Sequence, residues 1–236
     1  MLFRSAGRRR ACSYTSLVLR FGPMAPGSEV DAVGFATRDR APQNRPYVEI
    51  CMITTLDGAT SHDNRSGPLG GPADQQMLRA WRQKCDVIMV GAGTVRTEGY
   101  GLPSRHDLNI AVVTATCNVD PTIALFASGR GFLATSLDAP PSPVPTIRSG
   151  TGAVDLAGII DQLDARVIHV EGGPRLNASL LDAGLVDAIN LTFSHRLAGH
   201  HHSDPIATAT RDTTRFTLVD AARDGDFVFA RYERVR

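Results

Sequence analysis

Short apolar runs alternate with polar, glycine-containing segments over most of this chain. Apolar runs that end in turn residues predict buried strands at 47–53, 87–90, 109–114, 131–134, 166–170 and 187–193. Helices are predicted at 72–84, 155–163 and 175–183. The first of these starts with Pro72 and carries Met77, Leu78 and Trp81 on one face. Two last runs, 216–220 and 227–232, predict an antiparallel hairpin. Such alternation predicts a three-layer α/β fold with a mostly parallel central sheet and an antiparallel C-terminal hairpin.

Two of the predicted strands run into glycine-rich turns, and a helix follows each turn. Val90 precedes Gly91-Ala92-Gly93-Thr94, and Val170 precedes Glu171-Gly172-Gly173-Pro174. Glycine lets the backbone approach a phosphate closely, and a helix N-terminus adds partial positive charge. A tight turn without a ligand would need the same glycines, so each turn taken alone leaves both interpretations open. The two together favour a ligand with several phosphates.

Composition is that of one globular domain with no bias toward nucleic acid or membrane. The chain has 236 residues, of which 42% are hydrophobic and 21% charged, with a net charge of +1. No apolar run approaches the roughly 18 residues that a membrane span needs. Four cysteines, Cys12, Cys51, Cys85 and Cys117, show no C-x-x-C spacing and are typical of thiols in a reducing compartment. These features predict a cytoplasmic protein.

The first 45 residues differ from the rest of the sequence. Residues 1–28 contain five arginines and no acidic residue, while residues 25–45 are rich in Pro, Gly and polar groups. We expect a disordered or extended N-terminal segment over 1–45, with Met24 as an alternative start, and a folded domain over 46–236. Three adjacent histidines, 200–202, would point in different directions on a regular backbone, so no metal site is predicted.

Three segments, in this order and spacing, resemble the pyrimidine reductase family of riboflavin biosynthesis. They are TTLDG (54–58), VGAGTVRTEGYG (90–101) and EGGPRLNASLLDAGLVDAINL (171–191). The family corresponds to the C-terminal domain of a bifunctional deaminase-reductase and has a dihydrofolate-reductase-like fold. The resemblance covers residues 46–234 and implies a homodimer that reduces a phosphoribosylamino-pyrimidine with NADPH. Because the H-x-E and P-C-x-x-C motifs of the zinc deaminase do not occur in the sequence, a stand-alone reductase is expected.

The resemblance also implies which residues form the site. On the cofactor side these are Thr54, Gly91, Gly93, Thr94, Val95, Gly172, Gly173, Pro174 and Arg175. On the substrate side they are Ser66, Arg82, Glu98 and Arg105, with both arginines binding the substrate phosphate. Asp57 and Glu171 are the candidate catalytic residues, Asp57 for substrate hydroxyls or proton delivery and Glu171 beside the pyrimidine or nicotinamide. In the alternative, Asp57 is a turn residue and Glu171 caps its loop.

Two other functions stay open because the sequence departs from the family pattern. Residues 66–71 read Ser-Gly-Pro-Leu-Gly-Gly where many members have Ser-x-Trp-Ile-Thr/Ser, and Glu98 replaces a usual Asp. The chain is then either an NADPH reductase of another substrate, such as dihydrofolate, or a non-catalytic nucleotide-binding module. Convergence of Arg82 and Arg105 on a phosphate-sized site would distinguish the pyrimidine reductase. Arg96 and Arg175 are candidates for contacting the 2′-phosphate that separates NADPH from NADH.

Overall fold

The computed structural model of the protein describes residues 17–20, 27–37, 40, 44–199, 204–208 and 210–236. In chain order its strands are β1 (Leu17–Arg20), β2 (Glu29–Asp31), β3 (Tyr47–Thr54), β4 (Val87–Gly91), β5 (Asn109–Val113), β6 (Gly131–Thr135), β7 (Thr146–Arg148), β8 (Val167–Val170), β9 (Ala188–Phe193), β10 (Phe216–Asp224) and β11 (Phe227–Arg234). Its helices are α1 (Ala32–Ala36), α2 (Pro72–Arg82), α3 (Ala92–Glu98), α4 (Ala124–Ala127), α5 (Leu156–Asp161) and α6 (Pro174–Asp182), and Gly67–Leu69 forms a turn of 3-10 helix.

All the strands of the described residues belong to one sheet with the order β2-β1-β10-β11-β9-β3-β8-β4-β5-β6-β7. Every pair from β9 to β7 along this order is parallel. Every pair from β2 to β9 is antiparallel, and β10 and β11 form the C-terminal hairpin. The structure therefore confirms the predicted parallel central sheet with an antiparallel end.

Helices cover both faces of this sheet and give it three layers. Successive residues of a strand point to opposite faces, so β3 contributes to two cores. Val48 and Ile50 pack on one face with apolar residues of α5 and α6. Ile53 packs on the other face with residues of α1 and α2, while Ile88 and Val90 of β4 pack there with α3 and α4. Strands buried on both faces read as continuous apolar runs, which is why the sequence revealed them.

The N-terminal segment differs from the sequence-based expectation. Its described part forms β1, β2 and α1 at the antiparallel edge, where Leu19 lies opposite Arg223 of β10. Phe35 of α1 packs edge-on against Trp81 of α2, with 6.1 Å between ring centroids. These elements are too short for a period to stand out, and they are held by partners far away in sequence. Met24 and residues 200–202 lie outside the described residues.

The topology brings the three segments singled out in the sequence together at the carboxyl ends of neighbouring central strands. Strands β3, β8 and β4 are neighbours and parallel, so their carboxyl ends lie side by side. The carboxyl end of parallel strands is where ligands bind in open α/β sheets. No helix among the described residues is long and apolar enough to cross a membrane.

Candidate active site

The two glycine turns contact each other at the ends of β4 and β8. The Gly91 N–H donates to the Gly172 carbonyl oxygen at 2.8 Å. A Cβ added to Gly173 would lie 2.9 Å from Thr94 Oγ1, and one added to Gly91 would lie 3.3 Å from the Gly173 nitrogen. Gly172 has φ +79°, a left-handed conformation that side chains other than glycine rarely adopt. Contact between the two turns therefore requires the glycines that the sequence places there.

These turns form one wall of a cavity of about 1130 Å³. Predicted cofactor residues that line it are Gly91, Gly93, Thr94, Gly172, Gly173, Pro174 and Arg175. Predicted substrate or catalytic residues that line it are Ser66, Arg82, Glu98 and Glu171. The volume exceeds the roughly 300–1,000 Å³ of a pocket for one drug-sized ligand. The cavity is therefore large enough for a small-molecule ligand or cofactor.

The cofactor side of the cavity suits an anionic group such as a pyrophosphate. Helix α6 starts at Pro174, and its N-cap residue, Gly173, has no side chain that could cap the helix. A Cβ on Gly93 would meet no described atom within 4 Å, so the backbone there is open to the cavity. The exposed residues Arg96 and Arg175 line the same cavity. Open backbone N–H groups at a helix start, together with arginines, fit a phosphorylated dinucleotide.

On the opposite side, Glu171 forms a two-bond ion pair with Arg82. Arg82 Nε donates to Glu171 Oε1 at 2.7 Å, and Arg82 Nη2 donates to Oε2 at 2.6 Å. The Tyr100 hydroxyl also donates to Oε2 and accepts from Arg82 Nη2 at 3.1 Å. These contacts join the end of β8, the end of α2 and the loop after α3, which are distant in sequence.

The charges of this cluster hold one another in their ionised forms. Burial by itself raises the pKa of the Glu171 carboxyl, but Arg82 and, to a smaller extent, Tyr100 lower it below its usual range. Burial likewise opposes the charge of Arg82, and the Glu171 carboxylate raises the pKa of that guanidinium above its ordinary value. Burial raises the pKa of Tyr100, which therefore stays a hydrogen-bond donor at neutral pH. The cavity thus contains a fixed carboxylate beside a tyrosine O–H.

The two arginines predicted to bind a substrate phosphate do not converge. The guanidinium of Arg82 is occupied by Glu171. Arg105 lies outside the cavity wall, where it pairs with Asp107 at 2.8 Å and donates to the Cys85 carbonyl oxygen at 2.6 Å. Two further bonds to backbone, to the carbonyl oxygens of Arg82 at 3.1 Å and Gln83 at 3.4 Å, cap the end of α2. Arg82 and Arg105 therefore do not form the phosphate-sized site that would have distinguished a pyrimidine reductase from the alternatives.

Asp57, Thr54 and Val95 also lie away from the cavity wall. The exposed carboxylate of Asp57 accepts from Thr55 Oγ1 and from the backbone N–H groups of Ala198 and Gly199, at 3.2 and 2.9 Å. The bond from Thr55 is the main cause that lowers the pKa of Asp57 to about 2. The geometry thus favours the alternative in which Asp57 is a turn residue. Thr54 and Val95 are buried and do not line the cavity.

The predicted substrate residues Ser66 and Glu98 are in contact. The Ser66 N–H donates to Glu98 Oε1 at 2.7 Å, which ties the 60–66 loop to the end of α3. Both residues line the cavity, together with Thr60, Ser61 and Asn64 of that loop. Glu98 thereby holds the loop that faces the substrate side.

The residues Tyr100 and Asp74 are among the cavity residues that the sequence reasoning missed. Tyr100 is part of a quoted motif, but its contact with Glu171 spans 71 residues and no local spacing signals it. Asp74 lines the cavity from the first turn of α2. In the sequence, an acidic residue at that position is explained by its favourable interaction with the helix dipole, so it gives no sign of a site. Burial raises the pKa of Asp74 above its ordinary value. Among the described residues, no cluster of three or more His, Cys, Asp or Glu side chains could hold a metal ion.

Comparisons with known proteins agree with this picture. A family model described as the RibD C-terminal domain matches residues 46–229. A 2,5-diamino-6-ribosylamino-4(3H)-pyrimidinone 5′-phosphate reductase of Methanothermobacter thermautotrophicus is 28% identical over 173 residues, covering 66% of this chain and 80% of that protein. A pyrimidine reductase-like protein of Corynebacterium diphtheriae has a similar structure, with a TM-score of 0.71 at 24% identity, and the match covers 81% of this chain and 92% of that one. The riboflavin biosynthesis reductase Rib7 of Saccharomyces cerevisiae also has a similar structure, with a TM-score of 0.65 at 18% identity. That match covers 84% of this chain and 93% of the yeast protein.

Proposed function

The chain belongs to the RibD C-terminal domain family, and on that premise we propose that it is an NADPH-dependent reductase of riboflavin biosynthesis. Its substrate in this proposal is 5-amino-6-(5-phosphoribosylamino)uracil, which it reduces to the ribitylamino form. The observation that carries the proposal is the junction of both glycine turns with the Arg82–Glu171 pair in one cavity. Such a cavity offers one side to an anionic dinucleotide and the other to a polar substrate.

A reduced nicotinamide would supply the hydride, and no protein nucleophile is then needed. The residues that would hold the cofactor are Gly91, Gly93, Thr94, Gly172, Gly173, Pro174 and Arg175. Their contribution is position, because transfer of a hydride requires the two reacting carbons to be held in contact with water excluded. Arg96 and Arg175 are our candidates for the 2′-phosphate of NADPH, since both line this side of the cavity.

Reduction of the sugar carbon, in its open-chain or imine form, adds a hydride to carbon and a proton to the neighbouring nitrogen or oxygen. Glu171 is suited to accept hydrogen bonds from N–H or O–H groups of the substrate, since its carboxylate is ionised and fixed by Arg82. Tyr100, whose hydroxyl bonds to the same carboxylate oxygen, holds a proton beside it. Together they orient the substrate.

Turnover with several substrates tests the proposal. Oxidation of NADPH, followed by its absorbance, is measured with the deaminated phosphoribosylamino-pyrimidine, with the undeaminated compound named for the Methanothermobacter relative, and with dihydrofolate. NADH in parallel tests the cofactor preference. We expect turnover of a pyrimidine with NADPH. Tight NADPH binding without turnover of either pyrimidine would refute the proposed substrate class.

The separation of Arg82 and Arg105 supports one alternative, a reductase of a substrate without a phosphate, such as dihydrofolate. Turnover of dihydrofolate alone in the same assay would establish it. The open cavity speaks against a non-catalytic module, whose substrate side would be filled by side chains. A homodimer, implied by the family resemblance, and a cytoplasmic location, indicated by the cysteine pattern, remain part of the proposal. Light scattering of the purified protein tests the first.

A further inference from the structure

His169 of β8 is a buried imidazole placed between two carboxylates. Its side chain is 0% exposed. Nδ1 lies 3.8 Å from Glu49 Oε1, and Nε2 lies 3.6 Å from Glu171 Oε1. Neither ring nitrogen has a hydrogen-bond partner among the described residues. Buried polar atoms are nearly always hydrogen-bonded in folded proteins, so this ring calls for an explanation.

The strand register explains how the three side chains come together. Glu49 of β3 lies directly opposite His169 in the parallel pair of β3 and β8. Glu171 follows His169 by two residues, so both side chains point to the same face of the sheet. The imidazole therefore stands between Glu49 in the interior and Glu171 at the cavity wall.

The two carboxylates differ in how many cations they contact. Glu49 receives two guanidinium groups, Arg231 at 2.9 Å and Arg40 at 2.8 Å. Glu171 receives one guanidinium, that of Arg82, and the hydroxyl of Tyr100. A second positive partner is therefore already present at Glu49 and is missing at Glu171 among the described residues. The His169 side chain also helps to lower the pKa of Glu49. Because Glu49 already has two guanidinium partners, an N–H of the ring would add more to the stability of the Glu171 carboxylate, and Nε2 is the nearer nitrogen.

A neutral imidazole has one N–H donor and one lone pair, whereas a carboxylate only accepts. We propose that His169 is a positioning residue for Glu171, with its proton on Nε2 and directed at Glu171 Oε1. This bond would hold Oε1 from the interior side and add a third donor to those of Arg82 and Tyr100. The carboxylate would then keep one orientation toward the substrate. This inference rests on the proposed function, because it takes Glu171 as the carboxylate that meets the substrate.

Two substitutions of His169 distinguish the roles of its two ring nitrogens. In His169→Gln the amide nitrogen can occupy the place of Nε2 and donate to Glu171, and in His169→Asn it can occupy the place of Nδ1 and donate to Glu49. We expect the Gln variant to keep kcat within about threefold of the wild type, and the Asn variant to lose about tenfold or more, as the loss of a hydrogen bond to a charged group implies. KM for NADPH should stay unchanged in both, because the glycine turns are untouched.

A merely structural histidine would give a different result. The two variants would then lose kcat equally, in proportion to their loss of unfolding stability in urea, and this outcome would overturn the inference. If the wild type turns over no pyrimidine at all, the proposed function fails, and a measurement that does not depend on activity still decides the role of His169.

That measurement is the tautomer of His169 in the full-length protein. Nitrogen-15 NMR of histidine-labelled protein distinguishes a protonated from an unprotonated ring nitrogen, and the His169→Gln variant identifies the resonances by their loss. We expect a proton on Nε2. A proton on Nδ1 alone would show that the ring serves Glu49 and would refute the assignment, whether or not the protein is an active reductase.

Discussion

Two arginine–glutamate pairs lie on the same face of the sheet and differ chiefly in what surrounds them. Arg231 and Glu49 are joined at 2.9 Å with both side chains 0% exposed. Arg82 and Glu171 are joined at 2.6 Å with side chains 21% and 8% exposed. One pair is sealed in the interior, and the other opens to the cavity.

The partners of the sealed pair are all supplied by the protein. Arg231 also donates to Asn190 Oδ1 at 2.9 Å and to the Tyr47 hydroxyl at 3.1 Å, and its guanidinium lies 5.6 Å from the centre of the Trp81 ring. Burial raises the pKa of Tyr47 to about 12. No donor of this cluster points into the cavity wall, so its chemistry serves to hold strands together. The open pair has the same chemistry beside a space that a ligand can enter, and that position is the basis of the role proposed for it.

Breaking the sealed pair should produce the largest effect on stability. Arg231→Met leaves the Glu49 carboxylate buried with Arg40 as its remaining guanidinium partner among the described contacts. Loss of one partner from a buried pair costs about 3–5 kcal/mol. Urea unfolding should show a loss of this size, and Arg82→Met, at a partly exposed site, should lose clearly less.

The double variant Glu49→Gln/Arg231→Met is the matched control. It removes both charges and should recover part of the stability that Arg231→Met loses. Equal losses for Arg231→Met and Arg82→Met would mean that enclosure does not distinguish the two pairs.

Glu171→Gln tests the open pair by activity. The substitution keeps the size of the side chain and removes the charge that orients the substrate, so kcat should fall by about 10–100-fold, as expected for a positioned charged group. Steady-state kinetics at saturating NADPH measures it. Asp107→Asn, which weakens the exposed contact of Arg105, is the control and should leave kcat close to the wild-type value. An unchanged kcat in Glu171→Gln would remove this residue from the mechanism.

A smaller effect is expected on the cofactor side of the cavity. Gly93 has open space beside it, so a side chain there enters the cavity without strain. Gly93→Asp should weaken NADPH binding about tenfold, because a carboxylate near phosphates is repelled. Gly93→Asn has the same size without the charge and should weaken binding much less. Equal Kd values for the two variants, measured by fluorescence titration of NADPH, would indicate that no phosphate lies there.

The smallest effect concerns Asp57, which lies outside the cavity in an exposed turn. Asp57→Asn should change kcat by less than about twofold, since the amide can retain part of the turn bonding. A loss of kcat comparable with that of Glu171→Gln would instead restore the catalytic role that the sequence suggested for Asp57.

These contrasts also indicate how far the sequence could be interpreted. The central strands and the glycine turns were predictable, because an apolar run and a glycine pair are local signals of burial and of close backbone approach. The contact of Arg82 with Glu171 spans 89 residues and depends on which strands are neighbours. For the same reason Arg105 was assigned to a phosphate, although the carbonyl oxygens at the end of α2 occupy it. Local patterns predict elements, whereas pairing of charges follows from topology.

The position of β3 between β8 and β9 has a consequence for folding during synthesis on the ribosome. Both partners of this early strand emerge only with the last third of the chain. Until then the backbone N–H and C=O groups on both sides of this apolar strand have no partner strand, and unpaired strands of this kind attract other chains. Vectorial synthesis therefore leaves an interval in which β3 is unpaired, and a truncated product that ends before β8 can form neither the centre of the sheet nor the contact between the two glycine turns.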